Sequence, residues 1–292
     1  MKESPGDDTE TSQPVRGVSK TSFLTLYCHE IDARSDHPIL NDTRSIGIAA
    51  ALDRMLAGSD DELSHDLLRR KIRPTVVTHV AMRARRYDQY VRDFLARSPD
   101  GVVVNIGCGL DPRFTRIDNG TVKYFDLDLP GIMTIRRTFF EESDRYHALA
   151  SSVLDFSWMN AVSILQGPFL FLAEGVFMYL GQDEVRMLIL ELVKRFPGSE
   201  LVCEVVNSRW LRGPYKRVLN RKMRKQLHFG KEVSYRSGLS RTREMEEWGP
   251  GIRFLDDWSY LDSYDQRLGW LRVFRNVGFM RYSQWTVHYR LG

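Results

Sequence analysis

The chain has 292 residues, 42% of them apolar and 27% charged, with a formal net charge of +4. That composition excludes a disordered or fibrous protein and leaves room for one large α/β domain, or one domain with an inserted cap. The mild positive charge suits small acidic molecules as readily as nucleic acid, so it does not choose the partner. Three cysteines, Cys28, Cys108 and Cys203, stand far apart without a C-x-x-C pair. They are expected to be reduced thiols in a cytoplasmic protein with no zinc site.

Residues 1–20 are polar and read as a flexible tail without the apolar core of a signal peptide. Residues 21–72 mix short apolar stretches with charge and are expected to form a helical cover outside the main sheet. After Pro74, the residues Val77, Val80, Ala84, Tyr87, Val91 and Phe94 recur at helical spacing and stop at Ser98-Pro99-Asp100-Gly101, which predicts a helix of about six turns. Val102–Ile106 then reads as a buried parallel strand ending in Gly107-Cys108-Gly109. A second strand is expected over Val122–Leu127, ending near Asp126 and Asp128, followed by a helix over Gly131–Glu142. His147–Val153 and Phe169–Ala173 are the next strands. A helix through Val185, Leu188, Leu192 and Phe196 follows, then a strand over Leu201–Val206. The most apolar run, Phe169–Leu180, is too short to span a bilayer and carries Glu174, so no membrane segment is expected. Alternating strands and helices predict a Rossmann-like α/β fold with a mostly parallel, doubly wound sheet. Trp285–Arg290 is expected to close it as a late antiparallel edge strand. Residues 207–262, long, basic and aromatic, read as a cap insertion, which makes 21–292 one domain.

In such a sheet, ligands bind at the carboxyl ends of the strands near the switch point. Gly107 and Gly109 fall at such an end, where glycine lets the backbone turn tightly and approach a cofactor. Asp111-Pro112 reads as a helix N-cap followed by proline in the first turn. Alone, G-x-G separates a cofactor loop from a plain strand-to-helix turn poorly. A dinucleotide fold would want a third glycine where Pro112 stands. Asp128 lies about twenty residues beyond the glycines, where a carboxylate accepts ribose hydroxyls, and Asp126 competes for that role. Glu174 directly follows an apolar strand, so its carboxylate needs a cationic partner. Either the ammonium or sulfonium of S-adenosylmethionine or a structural arginine would serve.

Three segments in order, Val104-Asn105-Ile106-Gly107-Cys108-Gly109-Leu110-Asp111-Pro112-Arg113, Tyr124-Phe125-Asp126-Leu127-Asp128-Leu129-Pro130 and Ala173-Glu174-Gly175-Val176-Phe177-Met178-Tyr179-Leu180, resemble the leucine carboxyl methyltransferase family. The likeness is closer to its bacterial branch, the O-methyltransferases of polyketide biosynthesis, and runs from about Tyr27 to the C-terminus. The resemblance implies a class I methyltransferase fold and S-adenosylmethionine as cofactor. It implies that Arg83, on the helix before the first strand, grips the cofactor's carboxylate, and that Gly107, Cys108, Gly109, Asp128 and Glu174 line its site. The family's Asp-Leu pair at the adenine matches Ser152-Val153, so a weaker adenine contact, or help from Asp155, is expected. Without the resemblance, Arg83, Arg85 and Arg86 would read as a solvated helix face.

The function expected is O-methylation of a small acidic acceptor in secondary metabolism, with a carboxylate favoured because it is nucleophilic without a base. A phenol, with a pKa near 10, would need one, and no residue stands out as that base. Tyr179, Trp210 and Trp248 are expected to wall the acceptor. The alternatives are Tyr179 in the core with both tryptophans packing the cap, a nicotinamide-dependent oxidoreductase, and nucleic-acid binding through the basic stretch from Arg209 to Lys225. None of the seven histidines shows metal-ligand spacing.

Overall fold

The structure, a computed structural model, describes residues 17–59, 61–213, 215–217, 234–263 and 265–292. Four helices precede the first strand: α1 (Gly17–Ala33), α2 (Thr43–Leu56), α3 (Glu62–Leu68) and α4 (Pro74–Arg97). α1 starts four residues inside the segment expected to be tail. Residues 1–16 of that tail lie outside the described residues. α2 and α3 each begin at an aspartate, Asp42 or Asp61, whose side chain accepts from the backbone N–H of Ser45 or Ser64. Such caps satisfy donors that a helix start leaves open. Phe23, Leu26 and Tyr27 of α1 pack with Ile48, Leu52, Leu63 and Leu67, and this cluster rests on Val77 and Val80 of α4.

Among the described residues, seven strands follow: β1 (Val102–Ile106), β2 (Lys123–Asp128), β3 (Tyr146–Ala150), β4 (Phe169–Ala173), β5 (Ser199–Val206), β6 (Arg253–Trp258) and β7 (Gln284–Leu291). Their spatial order is β3-β2-β1-β4-β5-β7-β6. β1 to β5 are parallel, and β7 runs antiparallel to both β5 and β6. α5 (Arg113–Ile117), α6 (Pro130–Arg136), α7 (Trp158–Ser163) and α8 (Gln182–Arg195) connect the parallel strands. Side chains alternate across the sheet as the pleat requires. Val103, Leu170, Leu172 and Val202 meet Tyr87, Val91 and Phe94 of α4 on one face. Val104, Ile106, Phe171 and Leu201 meet Leu188 and Leu192 of α8 on the other.

Two boundaries differ from expectation. The segment expected to be cap, 207–262, contains β6, which joins the sheet beyond β7 and takes its edge. The sequence Arg253-Phe254-Leu255-Asp256-Asp257-Trp258 hides it, because an edge strand needs no apolar run. α6 ends at Arg136 instead of Glu142. Arg136 is drawn inward to Asp126, while Phe139 and Phe140 turn onto the apolar cluster of α1 to α3.

The register places the functional groups. Ile106 pairs with Leu127 on one side and Ala173 on the other, and Ala173 pairs with Cys203. The next residue on each, Asp128, Gly107, Glu174 and Glu204, therefore forms one row across the carboxyl ends of β2, β1, β4 and β5.

Candidate functional site

That row opens into a cavity of about 980 Å³, at the top of the roughly 300–1,000 Å³ range of small-molecule sites. It is bounded by the strand ends, by Ser22 and Thr25 of α1, by the start of α4 and by the chain before β7. The volume is ample for two ligands side by side.

Gly107, Cys108, Gly109, Asp128, Ser152 and Val153 line one half of it. Gly107 (φ +66°) and Gly109 (φ +53°) adopt the left-handed conformation that glycine tolerates best. A Cβ on Gly107 would stand 2.3 Å from Val176 Cγ2, and one on Gly109 would stand 2.8 Å from Ser22 Cβ. The loop needs both glycines to pack between β4's turn and α1. Asp128 fastens this turn: its Oδ2 accepts from Gly109 N at 2.7 Å and its Oδ1 from Leu129 N at 2.7 Å. Burial nevertheless pushes its carboxyl above the usual aspartate range. Asp126, the competing carboxylate, is fully enclosed, held by Arg136, by Tyr146 Oη at 2.8 Å and by Asn105 Nδ2 at 2.9 Å. It does not reach the cavity. Asp155 does not either. It is exposed, and its Oδ1 accepts from Ser157 N. Ser152 Oγ accepts from Leu154 N at 3.2 Å, which fixes the turn after β3.

The centre of the row is ionic. Arg83 lies one helical turn before Tyr87 on α4, so the helix that covers the sheet carries its guanidinium over the strand ends. Its Nε donates to Glu174 Oε1 at 2.7 Å and its Nη1 to Glu204 Oε2 at 2.9 Å. Glu174 also accepts from Arg113, whose side chain is 1% exposed. The carboxylate that looked in need of a ligand's cation thus has two arginines of its own. Burial pushes Glu174 up, but Arg83 and Arg113 outweigh it, so its carboxyl is held below the usual range. Among the described residues, Glu204 pairs with Arg83 and with the amide of Gln284, whose Nε2 donates to Oε1 at 2.6 Å. Burial therefore pushes it up. Asp111 is not the cap of α5, where Pro112 holds the cap position. It pairs instead with Arg113 at 3.0 Å and Arg116 at 2.8 Å, because the short α5 turns both guanidinium groups back onto it. His29, Asp42 and Asp111 do come together as a metal site might, but Arg116 already bridges the two carboxylates as a cation would.

The other half of the cavity is aromatic. Tyr179, Trp210, Tyr235 and Tyr260 line it, with His79 stacked on Tyr260 at 4.4 Å between ring centroids. Tyr179 meets Tyr235 edge-on at 5.4 Å. Arg73, exposed at the start of α4, and Arg267, paired with Asp265, also line the cavity. Trp248 is a correction: it lines a separate crevice with Phe177, Val185, Leu239 and Met245, away from the cavity. Met245, on the 3₁₀ turn Glu244–Glu247, points into the core, and Trp248 follows three residues later on the same face. Of the basic stretch, Arg221, Lys222, Arg224 and Lys225 lie outside the described residues, as does the rest of 218–233. Sequence reasoning missed Glu204, Arg113, His79, Tyr235 and Tyr260. For Glu204 a signal existed, since it is the one charged residue in the apolar run Leu201–Val206.

Cys28, Cys108 and Cys203 are buried and unpaired. Among the described residues, no helix is long and apolar enough to cross a membrane.

The model of the leucine carboxyl methyltransferase family matches residues 28–193, more than half of the chain. The tetracenomycin polyketide synthesis O-methyltransferase TcmP of Streptomyces glaucescens is 28% identical over 251 residues, which cover 85% of each protein. The S-adenosyl-L-methionine-dependent methyltransferase dpfgK of Gibberella zeae is 25% identical over 289 residues, covering 93% of this chain and 91% of that one. A DUF574 family protein from Streptomyces avermitilis has the same fold, with a TM-score of 0.56 at 13% identity over 94% of this chain and all of that one. The chain thus belongs to the leucine carboxyl methyltransferase family, and it is a class I methyltransferase that draws its methyl group from S-adenosylmethionine.

Proposed function

We propose that the protein is an O-methyltransferase acting on a small acidic acceptor, in the first place a carboxylate, in polyketide or related secondary metabolism. The observation that carries this reading is the single cavity with two unlike halves, joined at Glu174 and Arg83. The cofactor half offers what an adenosyl amino acid needs. Asp128 accepts from the ribose hydroxyls, Ser152 and Val153 edge the adenine, and the backbone of Gly107, Cys108 and Gly109 lies beneath. Glu174 faces the ammonium. The Nη2 of Arg83 takes part in neither of its ion pairs and is the donor for the cofactor's carboxylate. The kinship with TcmP supports oxygen as the atom methylated and a polyketide-like acceptor.

Bound S-adenosylmethionine supplies an electrophilic methyl group on a sulfonium sulfur. The protein's own part is to align and to exclude water. Tyr179 and Trp210 close the acceptor half with apolar surface, which strengthens every charge interaction inside. Arg73 and the start of the 24-residue helix α4 turn positive potential towards an acidic acceptor. A carboxylate held so needs no proton removed, and alignment alone supplies most of the rate. The test has two steps. Calorimetric titration should detect S-adenosylhomocysteine binding, and a panel of aromatic carboxylic acids with labelled cofactor should yield methyl esters. Methylation confined to nitrogen acceptors would refute the oxygen reading.

A further inference from the structure

We propose that Glu204 is the proton acceptor for a second class of substrate, phenolic or enolic hydroxyls, which the same site methylates alongside carboxylates. The inference rests on the methyl-transfer reading and starts from the register. Asp128, Gly107, Glu174 and Glu204 end level on adjacent strands. At about 4.8 Å per strand, Glu204 lies about 14 Å from Asp128 along the row and one strand beyond Glu174. A cofactor spanning Asp128 to Glu174 leaves Glu204 on the acceptor side.

The side chain of Glu204 is 3% exposed yet lines the cavity. The groups facing it are Arg83 and Tyr87 from α4, Glu174 from β4's end, Tyr179, Tyr235, and Gln284 from β7. Gly175, at φ +68°, lies beside it: a Cβ there would stand in contact with Glu204 Oε2 at 3.5 Å. The two glutamates are pushed apart in acidity by unequal partners. Two arginines hold Glu174 ionised, while burial with one arginine raises Glu204. Paired carboxylates with diverging acidity are the usual arrangement of a spectator charge and a working base. The neighbouring tyrosines cannot take that role. Burial raises Tyr179 well above its ordinary value and pushes Tyr235 up to about 12, so both hydroxyls keep their protons.

In the step, the acceptor's O–H proton passes to a Glu204 Oε as the oxygen forms its bond to the methyl carbon. The methyl–sulfur bond breaks with its electron pair left on sulfur. Glu204 later returns the proton to water. A carboxylate acceptor skips the proton transfer.

The matched pair 1-naphthol and 1-naphthoate tests this. The wild type should methylate both, with a loss of naphthol turnover at low pH as Glu204 becomes protonated. Glu204→Gln should lower the naphthol-to-naphthoate turnover ratio at least a hundredfold, the low end for a lost general base. Gln284→Leu removes a donor that favours the ionised carboxylate, so it should move the acid limb for naphthol to higher pH. A binding readout stands beside activity. Naphthol affinity for the S-adenosylhomocysteine complex should weaken as pH falls in the wild type and stay flat in Glu204→Gln. The inference is overturned by a turnover ratio within threefold of wild type, by an acid limb that Gln284→Leu leaves in place, or by a wild type that methylates naphthoate but not naphthol. If Glu204→Gln proves unfolded by its melting curve, the Gln284→Leu shift decides alone. Failure to bind S-adenosylhomocysteine at all would sink the methyl-transfer reading itself, and this inference with it.

Discussion

Asp128→Asn is the most direct test of the cofactor half. Each carboxylate oxygen of Asp128 accepts one backbone N–H at 2.7 Å, from Gly109 or Leu129, and keeps a second acceptor site for a ribose hydroxyl. An asparagine has one acceptor oxygen and one NH₂, so one backbone N–H must face a donor. The Leu129 contact is exposed and the Gly109 contact half-buried, so water takes over part of the lost bond. The cost therefore stays near the low end of the about 1–3 kcal/mol for an unsatisfied donor, with about 2–4 °C of Tm per kcal/mol for a chain somewhat smaller than this one. The variant should melt only roughly 2–4 °C lower and remain folded at room temperature. Its affinity for S-adenosylhomocysteine should fall further, because a charged acceptor for the ribose hydroxyls is lost. At about 1.5–3 kcal/mol that loss is roughly ten- to a hundredfold in Kd. Asp126→Asn is the control: it strips a partner from Arg136 and Tyr146, so it should lower Tm without touching the affinity of the folded fraction. Burial also raises the Asp128 carboxyl, so wild-type affinity should decline with falling pH while ordinary aspartates are still ionised. Calorimetric titration of wild type and both variants across pH reads all of this. An Asp128→Asn protein binding within twofold of wild type would refute the assignment.

Arg113→Met leaves the buried Asp88, Asp111 and Glu174 short of a cation and should cost about 3–5 kcal/mol; an unchanged denaturation midpoint would count against the network. Gly107→Ala places a methyl 2.3 Å from Val176 Cγ2 at positive φ, with an overpacking cost of about 1–3 kcal/mol, so Tm and S-adenosylhomocysteine affinity should drop together, and retention of both would show that the loop yields freely. Tyr179→Phe should keep cofactor affinity and impair turnover or acceptor KM on a carboxylate, whereas Trp248→Ala, packed on the core, should lower Tm and leave acceptor KM alone; the reverse pattern would return Trp248 to the acceptor site. In Asp42, Asp111, Glu174 and Glu200, burial pushes the carboxyl up but is outweighed by cationic or histidine partners, leaving each below its ordinary value. Their stabilisation is full above the unfolded carboxylate range near about 4 and is lost as pH falls towards the lowered values, so Tm should drop steeply on the acid side and stay flat if the network contributes nothing.

What the sequence made legible was whatever repeats or punctuates. The buried strand β4 is a continuous apolar run, and β1 and β5 are runs broken only by Asn105 and by Ser199, Glu200 and Glu204, because helices cover both faces of the parallel sheet, and α4 writes its period plainly. The motif residues Gly107, Asp128 and Glu174 could be placed because strand ends are marked by glycine and charge. Partnership was not legible. Glu174 and Arg113 are 61 residues apart, and Glu204 and Arg83 are 121 apart. The register of β4 against β1 and β5, with α4 and α5 packed over the strand ends, brings them together. β6 escaped for the opposite reason: an edge strand with one side to solvent carries Asp256 and Asp257 without penalty. Trp248 misled because aromatic content in a cap says nothing about which way the residue that ends a 3₁₀ turn points.

Asp42 links parts that look separable. It caps α2 through Ser45, accepts from His29 Nδ1 of α1 at 3.1 Å and takes Arg116 Nη1 of α5 at 2.9 Å. Arg116 continues to Asp88 on α4, and Asp88 to Arg113 and so to Glu174. Each member neutralises two or more others, so changing one strands a buried charge, and only compensated exchanges are tolerable. Across homologues these positions should vary in concert or not at all, even though they sit on five separate elements. The helical cover is accordingly not a module that can be traded between relatives while the methyl-transfer site stays put, because its second helix starts at an aspartate tied by Arg116 and Asp88 to Arg113 of the site.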